Sequence, residues 1–235
     1  MSRHNTGHMY LKNFQTISES IHAFLELHPR PPKAGSQADE DEILAKLLPD
    51  SAGLYVDVGA NHPWDCSNTW QFYKRGWRGI LAEPVPMFQP TLLRHRTGDA
   101  IFPVAASNRA GYAVLRFNGP VSSFRADWPI ETRAHLVVET MKLTDIIRQF
   151  PGFMKLAIKR GGWDLCSIDV EGHELEVLEG IDFSVFRPKV MCVEYISYTD
   201  NNTGIDLSAD WEPILLDNGY KFVEQTSFNK IYQVQ

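Results

Sequence analysis

The sequence predicts an α/β fold: a mostly parallel sheet, helices on both faces, and an antiparallel strand pair at the C-terminal end. Three observations carry this. From Leu54 onward, short apolar runs alternate with segments of helical period, the pattern of consecutive βα units. Leu54–Val58 is apolar apart from Asp57, and Gly79–Ala82 is apolar throughout, as expected of strands covered on both faces. The last two apolar runs, 220–225 and 230–234, are separated by a short turn containing Asn229, the spacing of a hairpin.

The elements follow in order. Leu11, Phe14, Ile17, Ile21, Phe24 and Leu25 recur at helical spacing and predict an amphipathic helix over 11–27. Pro29-Arg-Pro-Pro-Lys-Ala-Gly35 breaks it and reads as a stiff linker. Residues 1–35 are thus an N-terminal helical extension with a Pro-rich linker, and 36–235 form the main domain. Ser36 with Asp39 three residues on suggests a capping box for a helix over 37–48, closed by Pro49. Strand 54–58 leads to a helix near 67–75 that stops at Gly76, and strand 79–83 to a helix near 86–96 that stops at Gly98. Strands 101–105 and 112–117 come next, the second after an Asn108-Arg-Ala-Gly111 turn. Residues 118–135 are turn-rich and read as a surface loop; Val137-Val138 suggests a short strand and Leu143–Phe150 a short helix. Strand 163–169 meets a turn at Gly172 before a helix over 173–179. Strand 189–195, a helix over 209–218 and the two closing strands complete the order.

Bulk properties remove several function classes. The chain has 235 residues, room for one large domain with an extension. With 23 basic and 29 acidic residues its net charge is −6, which disfavours nucleic acid as a partner because phosphates require clustered cations. The cluster Arg94-His95-Arg96 reads as a solvated helix end. Cys66, Cys166 and Cys192 are widely spaced, with no C-x-x-C, so neither a disulfide framework nor a zinc knuckle is expected. Cys166 and Cys192 fall within apolar strands, where thiols act as small buried hydrophobes, and a reducing, cytoplasmic setting follows. There is no signal-like apolar core at the N-terminus, and no run approaches the ~20 apolar residues that span a bilayer. A soluble protein without membrane insertion is expected, and a homo-oligomer is compatible with the sequence.

The chemistry should lie at one rim. In open α/β sheets ligands sit outside the carboxyl ends of the strands, which aligns Asp57–Asn61, Glu83, Ala105–Ser107, Asp169–His173 and Glu194. Glu83 follows Gly59 at an interval near the ~20 residues that separate a glycine turn from a ribose-binding acid. Only one glycine occupies the turn Val58-Gly-Ala-Asn61, and Pro63 removes an amide that a pyrophosphate would use. A nucleoside cofactor without phosphates fits better than a dinucleotide, and S-adenosylmethionine is the common one. Asp57 would orient that cofactor's amino-acid part or cap the turn. Asp169, Glu171, His173 and Glu174 crowd the second strand end. One carboxylate there can face a sulfonium or an amino group, and His173, which titrates near neutrality, can take a proton from an acceptor hydroxyl. Their alternative is structural, since acids near a helix start are favourable through the macrodipole alone. Asp169 and Glu171 are also oxygen ligands suited to a hard cation, although their spacing does not demand one, and metal use stays open. Phe124, Trp128 and Tyr198 are candidates to wall an acceptor pocket or to pack the core.

Several linked motifs together resemble the FkbM family of methyltransferases: Gln37, Glu40 and Asp41; Asp57-Val-Gly-Ala-Asn-His-Pro63; Ser67-Asn-Thr69; Phe72-Tyr73; Gly76-Trp77; Glu83-Pro84; and Ile168-Asp-Val-Glu-Gly-His-Glu174 with Leu178. The similarity runs from about Ser36 to the C-terminus. It implies a Rossmann-like class I methyltransferase fold, S-adenosyl-L-methionine as donor, and O-methylation of a hydroxyl on a small molecule, sugar or glycan. By position, Asp57, Gly59, Ala60, Asn61, Ser67, Glu83 and Asp169 would bind the cofactor, and Asp169, Glu171 and His173 would form the catalytic signature. Ser167 departs from the family, whose members often carry Lys there. That departure leaves a catalytically inactive binding module as the alternative.

Overall fold

The structure, a computed structural model, describes residues 35–48, 51–198 and 204–235. The predicted helix over 11–27, most of its linker, and Pro49 lie outside the described residues. The elements are α1 (Glu40–Leu47), β1 (Leu54–Val58), α2 (Trp70–Lys74), β2 (Arg78–Ala82), α3 (Gln89–His95), β3 (Ala100–Phe102), β4 (Ala105–Ser107), β5 (Gly111–Phe117) and β6 (Ala134–Lys142). They continue with α4 (Leu143–Arg148), α5 (Pro151–Arg160), β7 (Leu165–Ile168), α6 (Glu174–Glu179), β8 (Val190–Glu194), β9 (Ile196–Tyr198), β10 (Gly204–Asp206), α7 (Ser208–Asp217), β11 (Tyr220–Gln225) and β12 (Asn229–Val234).

Seven strands form one sheet in the order β11-β12-β8-β7-β1-β2-β3. β3, β2, β1, β7 and β8 run parallel, while β12 is antiparallel to both β8 and β11. This is an α/β fold built on a mostly parallel sheet, with a C-terminal antiparallel pair. Alternation along β1 shows how the sheet is covered. Leu54, Val56 and Val58 enter one apolar cluster with Ile168, Val193 and Trp211, whereas Tyr55 enters the opposite one with Phe72, Trp77 and Leu165. Burial of both faces explains why the central strands read as nearly unbroken apolar runs. The parallel order sets the carboxyl ends of β1, β2, β7 and β8 along one rim.

Four local expectations are corrected. The run 101–105 is split, because Pro103 has no amide for a ladder; the chain leaves the large sheet and Ala105–Ser107 pairs with β6 in a three-stranded sheet, β4-β6-β5. β6 is nine residues long rather than a Val137-Val138 fragment. Its polar His135 and Glu139 lie on the wet face of a strand covered on the other, which hid it. α5 was not anticipated, although Pro151 at its start and Gly161 at its end, with φ 83°, are the usual boundary residues. The Ser36–Asp39 capping box does not form. Instead the Ser36 hydroxyl accepts the Asp41 amide at 3.2 Å, and Asp41 Oδ2 accepts the Ser36 amide at 3.2 Å.

Candidate active site

The turn after β1 and the acid after β2 are bonded to one another. The Asn61 amide donates to Glu83 Oε2 at 2.8 Å, and the Val85 amide donates to Glu83 Oε1 at 2.7 Å. Glu83 is only 3% exposed, and burial pushes its carboxyl up to about 7. Two amides occupy two of roughly four lone-pair directions on a carboxylate, so capacity for further donors remains. Gly59 has φ 80°, and a Cβ there would overlap the carbonyl oxygen of Asp169. The glycine therefore lets the ends of β1 and β7 meet. Asn61 is left-handed (φ 45°), a conformation Asn tolerates, and its buried Oδ1 has no hydrogen-bond partner among the described residues.

Asp57 faces a buried polar network. Thr69 Oγ1 donates to Asp57 Oδ2, and Arg96 Nη2 donates to both Thr69 Oγ1 and Tyr55 OH at 2.9 Å. Arg96 also pairs with Asp99 at 2.8 Å and donates to the Pro63 carbonyl at 2.9 Å. At 1% exposure Arg96 is no solvated helix end, which corrects the reading of Arg94-His95-Arg96; only Arg94 is exposed. Burial raises Asp57 from its ordinary range, and the Arg96 charge opposes that rise. Ser67 is buried beside Thr69, with the two hydroxyl oxygens 3.4 Å apart. Ser167 accepts from Asn68 Nδ2 at 3.1 Å inside the fold, so its position is a packing site.

The second cluster gathers as the strand order requires. One carboxylate oxygen each from Asp169, Glu171 and Glu194 lies within 4.8 Å of the others. Burial raises all three, and each also feels the charge of another acid in the group or at Asp57. Glu171 is itself left-handed at φ 56°, beside Gly172 at 91°. Glu174 accepts the Val170 amide at 3.1 Å and the Gly172 amide at 3.2 Å, so it holds the turn; burial pushes it up to about 7.

His173 has both ring nitrogens engaged. Nδ1 lies 3.2 Å from Glu176 Oε2, and Nε2 lies 3.1 Å from Ser107 Oγ. A carboxylate at Nδ1 favours the tautomer with its proton there, leaving Nε2 to accept from the serine. Burial lowers the pKa of His173, which keeps the ring neutral. Glu176 was not anticipated, although its position three residues along the same helix from His173 was the available signal. The expected surface loop 118–135 instead packs on this turn. Ser123 Oγ donates to the Glu171 carbonyl at 2.6 Å, and the Phe124 ring lies 4.8 Å from that of His173. Trp128 is buried and donates to the Val121 carbonyl at 3.1 Å, so it organises the loop; the Tyr198 side chain lies outside the described residues.

Solved methyltransferases are similar to this chain at low identity. A methyltransferase FkbM from Methylobacillus flagellatus KT is 16% identical, with 80% of this chain and 45% of that chain covered and a TM-score of 0.48. This chain thus spans less than half the length of that protein. A 1,6-didemethyltoxoflavin-N1-methyltransferase from Burkholderia thailandensis, solved with 1,6-didemethyltoxoflavin and S-adenosylhomocysteine, is 12% identical over 99% of this chain and 91% of that one, with a TM-score of 0.44. No curated protein matches the chain. Residues 57–222 match the model of the methyltransferase FkbM domain, and the chain belongs to that family.

Proposed function

We propose that the protein is an S-adenosylmethionine-dependent O-methyltransferase acting on a hydroxyl of a small molecule, sugar or glycan. The observation that carries this reading is the bonded pair of Glu83 and the Asn61 turn. A buried carboxylate with free lone pairs, beside a turn with an unpartnered amide oxygen, is complementary to the hydroxyls and amines of an adenosine. Glu83 would accept the ribose hydroxyls, Gly59, Ala60 and Asn61 would line the adenosine's edge, and Ser67 would support that turn. Asp57 and Asp169 would balance the positive charges of the amino-acid part. When bound, the cofactor supplies an electrophilic methyl group on a sulfonium.

The chain's own residues would position the acceptor and manage its proton. In-line methyl transfer is limited mainly by alignment, so the base needs only to assist. The acceptor hydroxyl would pass its proton to Ser107 Oγ as the Ser107 proton moves to His173 Nε2, with Glu176 stabilising the ring at Nδ1. Glu171 would add negative charge facing the sulfonium, and Phe124 would offer a flat apolar surface to the acceptor. The buried thiols Cys166 and Cys192, with no disulfide among the described residues, suit a cytoplasmic setting. No helix among the described residues is long and apolar enough to cross a membrane.

Incubation with isotope-labelled S-adenosylmethionine and a panel of hydroxylated acceptors, followed by mass spectrometry, tests the reading. Label on an acceptor oxygen is the expected result. S-adenosylhomocysteine binding without any transfer would instead favour the inactive binding module.

A further inference from the structure

We propose that Asp169, Glu171 and Glu194 form a binding site for one hard divalent cation. Their oxygens come from the ends of two adjacent strands, β7 and β8, and from the turn that follows β7. A mutual separation of at most 4.8 Å equals about two metal–oxygen bonds of ~2.4 Å, so a single ion can reach all three. Carboxylate oxygens select Mg²⁺, Mn²⁺ or Ca²⁺ over softer metals.

Clustering alone would be weak, since acids often gather without an ion. The independent observation is unsatisfied oxygen. Glu194 is 4% exposed, yet its Oε2 has no hydrogen-bond partner among the described residues, and neither has Glu171 Oε2. Asn229, 2% exposed, is the cross-strand partner of Glu194 and leaves the sheet on the same face. Its Nδ2 donates to Glu40 at 3.1 Å while its Oδ1 is buried and unpartnered. No Lys or Arg among the described residues forms an ion pair with any of the three acids. A dication would supply the missing partner to the orphaned oxygens. It would also hold an acceptor oxygen and ease its deprotonation toward Ser107. That catalytic part rests on the function proposed above, whereas the binding does not.

Titrating the full chain with Mn²⁺, following the free ion by electron paramagnetic resonance, is the test. One saturable Mn²⁺ per chain is expected, displaced by excess Mg²⁺ or Ca²⁺. Glu194→Gln and Glu171→Gln should each weaken it at least tenfold while retaining the wild-type circular dichroism spectrum. If Glu194→Gln fails to fold, the less buried Glu171→Gln decides. Absence of Mn²⁺ loading at millimolar concentration overturns the site, as does loading that neither variant weakens. Titration of the same samples with S-adenosylhomocysteine separates the two readings. Mn²⁺ retained beside bound S-adenosylhomocysteine supports the cation site. One-for-one expulsion would assign the carboxylates to the donor's own positive charge and end the proposal. Failure of the donor site alone would leave Mn²⁺ binding intact.

Discussion

The backbone amide of Asn61 donates to the carboxylate of Glu83 at 2.8 Å, which joins the ends of β1 and β2 into one structure. The acid proposed to hold a ribose therefore also fixes the turn proposed to lie against it. Loss of either partner should be felt by the other.

The charge state of Glu83 gives opposite pH slopes for stability and binding. Burial raises this group from 4.5 to about 7, so the folded state holds a proton that the unfolded chain releases at lower pH. The resulting stabilisation is complete below about pH 4.5 and is lost as pH rises through 7. It amounts to roughly 3 kcal/mol for a shift of this size. Accepting hydroxyl donors needs the ionised form, so affinity for S-adenosylhomocysteine should rise over the same interval. Thermal unfolding and calorimetry between pH 5 and 8 check both slopes. Glu83→Gln should flatten them.

Arg96 is the buried cation of the Asp57–Thr69–Tyr55–Asp99 network. Arg96→Met should cost about 3–5 kcal/mol, because Asp99 and Asp57 would be left buried without their counter-charge. Urea unfolding measures it. A loss below 1 kcal/mol would show that the network is dispensable.

Gly59→Ala should be severely destabilising or abolish donor binding, since its φ of 80° and the Asp169 carbonyl leave no room for a Cβ. Gly152→Ala is the contrast. That glycine lies in α5 with nothing within 4 Å of a built Cβ, so alanine should be neutral or stabilising by up to about 1 kcal/mol. Melting temperatures of the two variants should diverge in opposite directions.

His173→Ala should lower turnover by roughly 10²-fold while S-adenosylhomocysteine affinity stays near the wild-type value. Ser107→Ala should also lower turnover, because its hydroxyl is the group bonded to His173 Nε2 and the proposed proton relay runs through it. Equal turnover in Ser107→Ala and wild type would mean that His173 meets the acceptor directly.

Sequence patterns revealed the central sheet because its strands are apolar on both faces and its turns carry glycine. β6 was nearly invisible for the opposite reason: alternate residues face water, so charged positions interrupt the run. The rim was legible through strand ends, which brought Glu83, Asp169, Glu171 and Glu194 to one side. What spacing could not convey was which polar groups meet underneath. Arg96 looked like a solvent-facing helix end and proved to be buried, paired locally with Asp99 and donating across the fold to Tyr55 OH and Thr69 Oγ1, contacts set by tertiary packing. Likewise the loop over 118–135 gave no periodic signal, yet Ser123 and Phe124 sit on the turn that carries Glu171 and His173.

Calorimetric titration of the wild-type chain and Glu83→Gln with S-adenosylhomocysteine tests the central claim most directly. Stoichiometric binding by the wild type is predicted, weakened on the order of tenfold or more in the variant, since a charged acceptor contributes about 1.5–3 kcal/mol. No binding by the wild type, or equal affinity in a folded Glu83→Gln variant, would contradict the account.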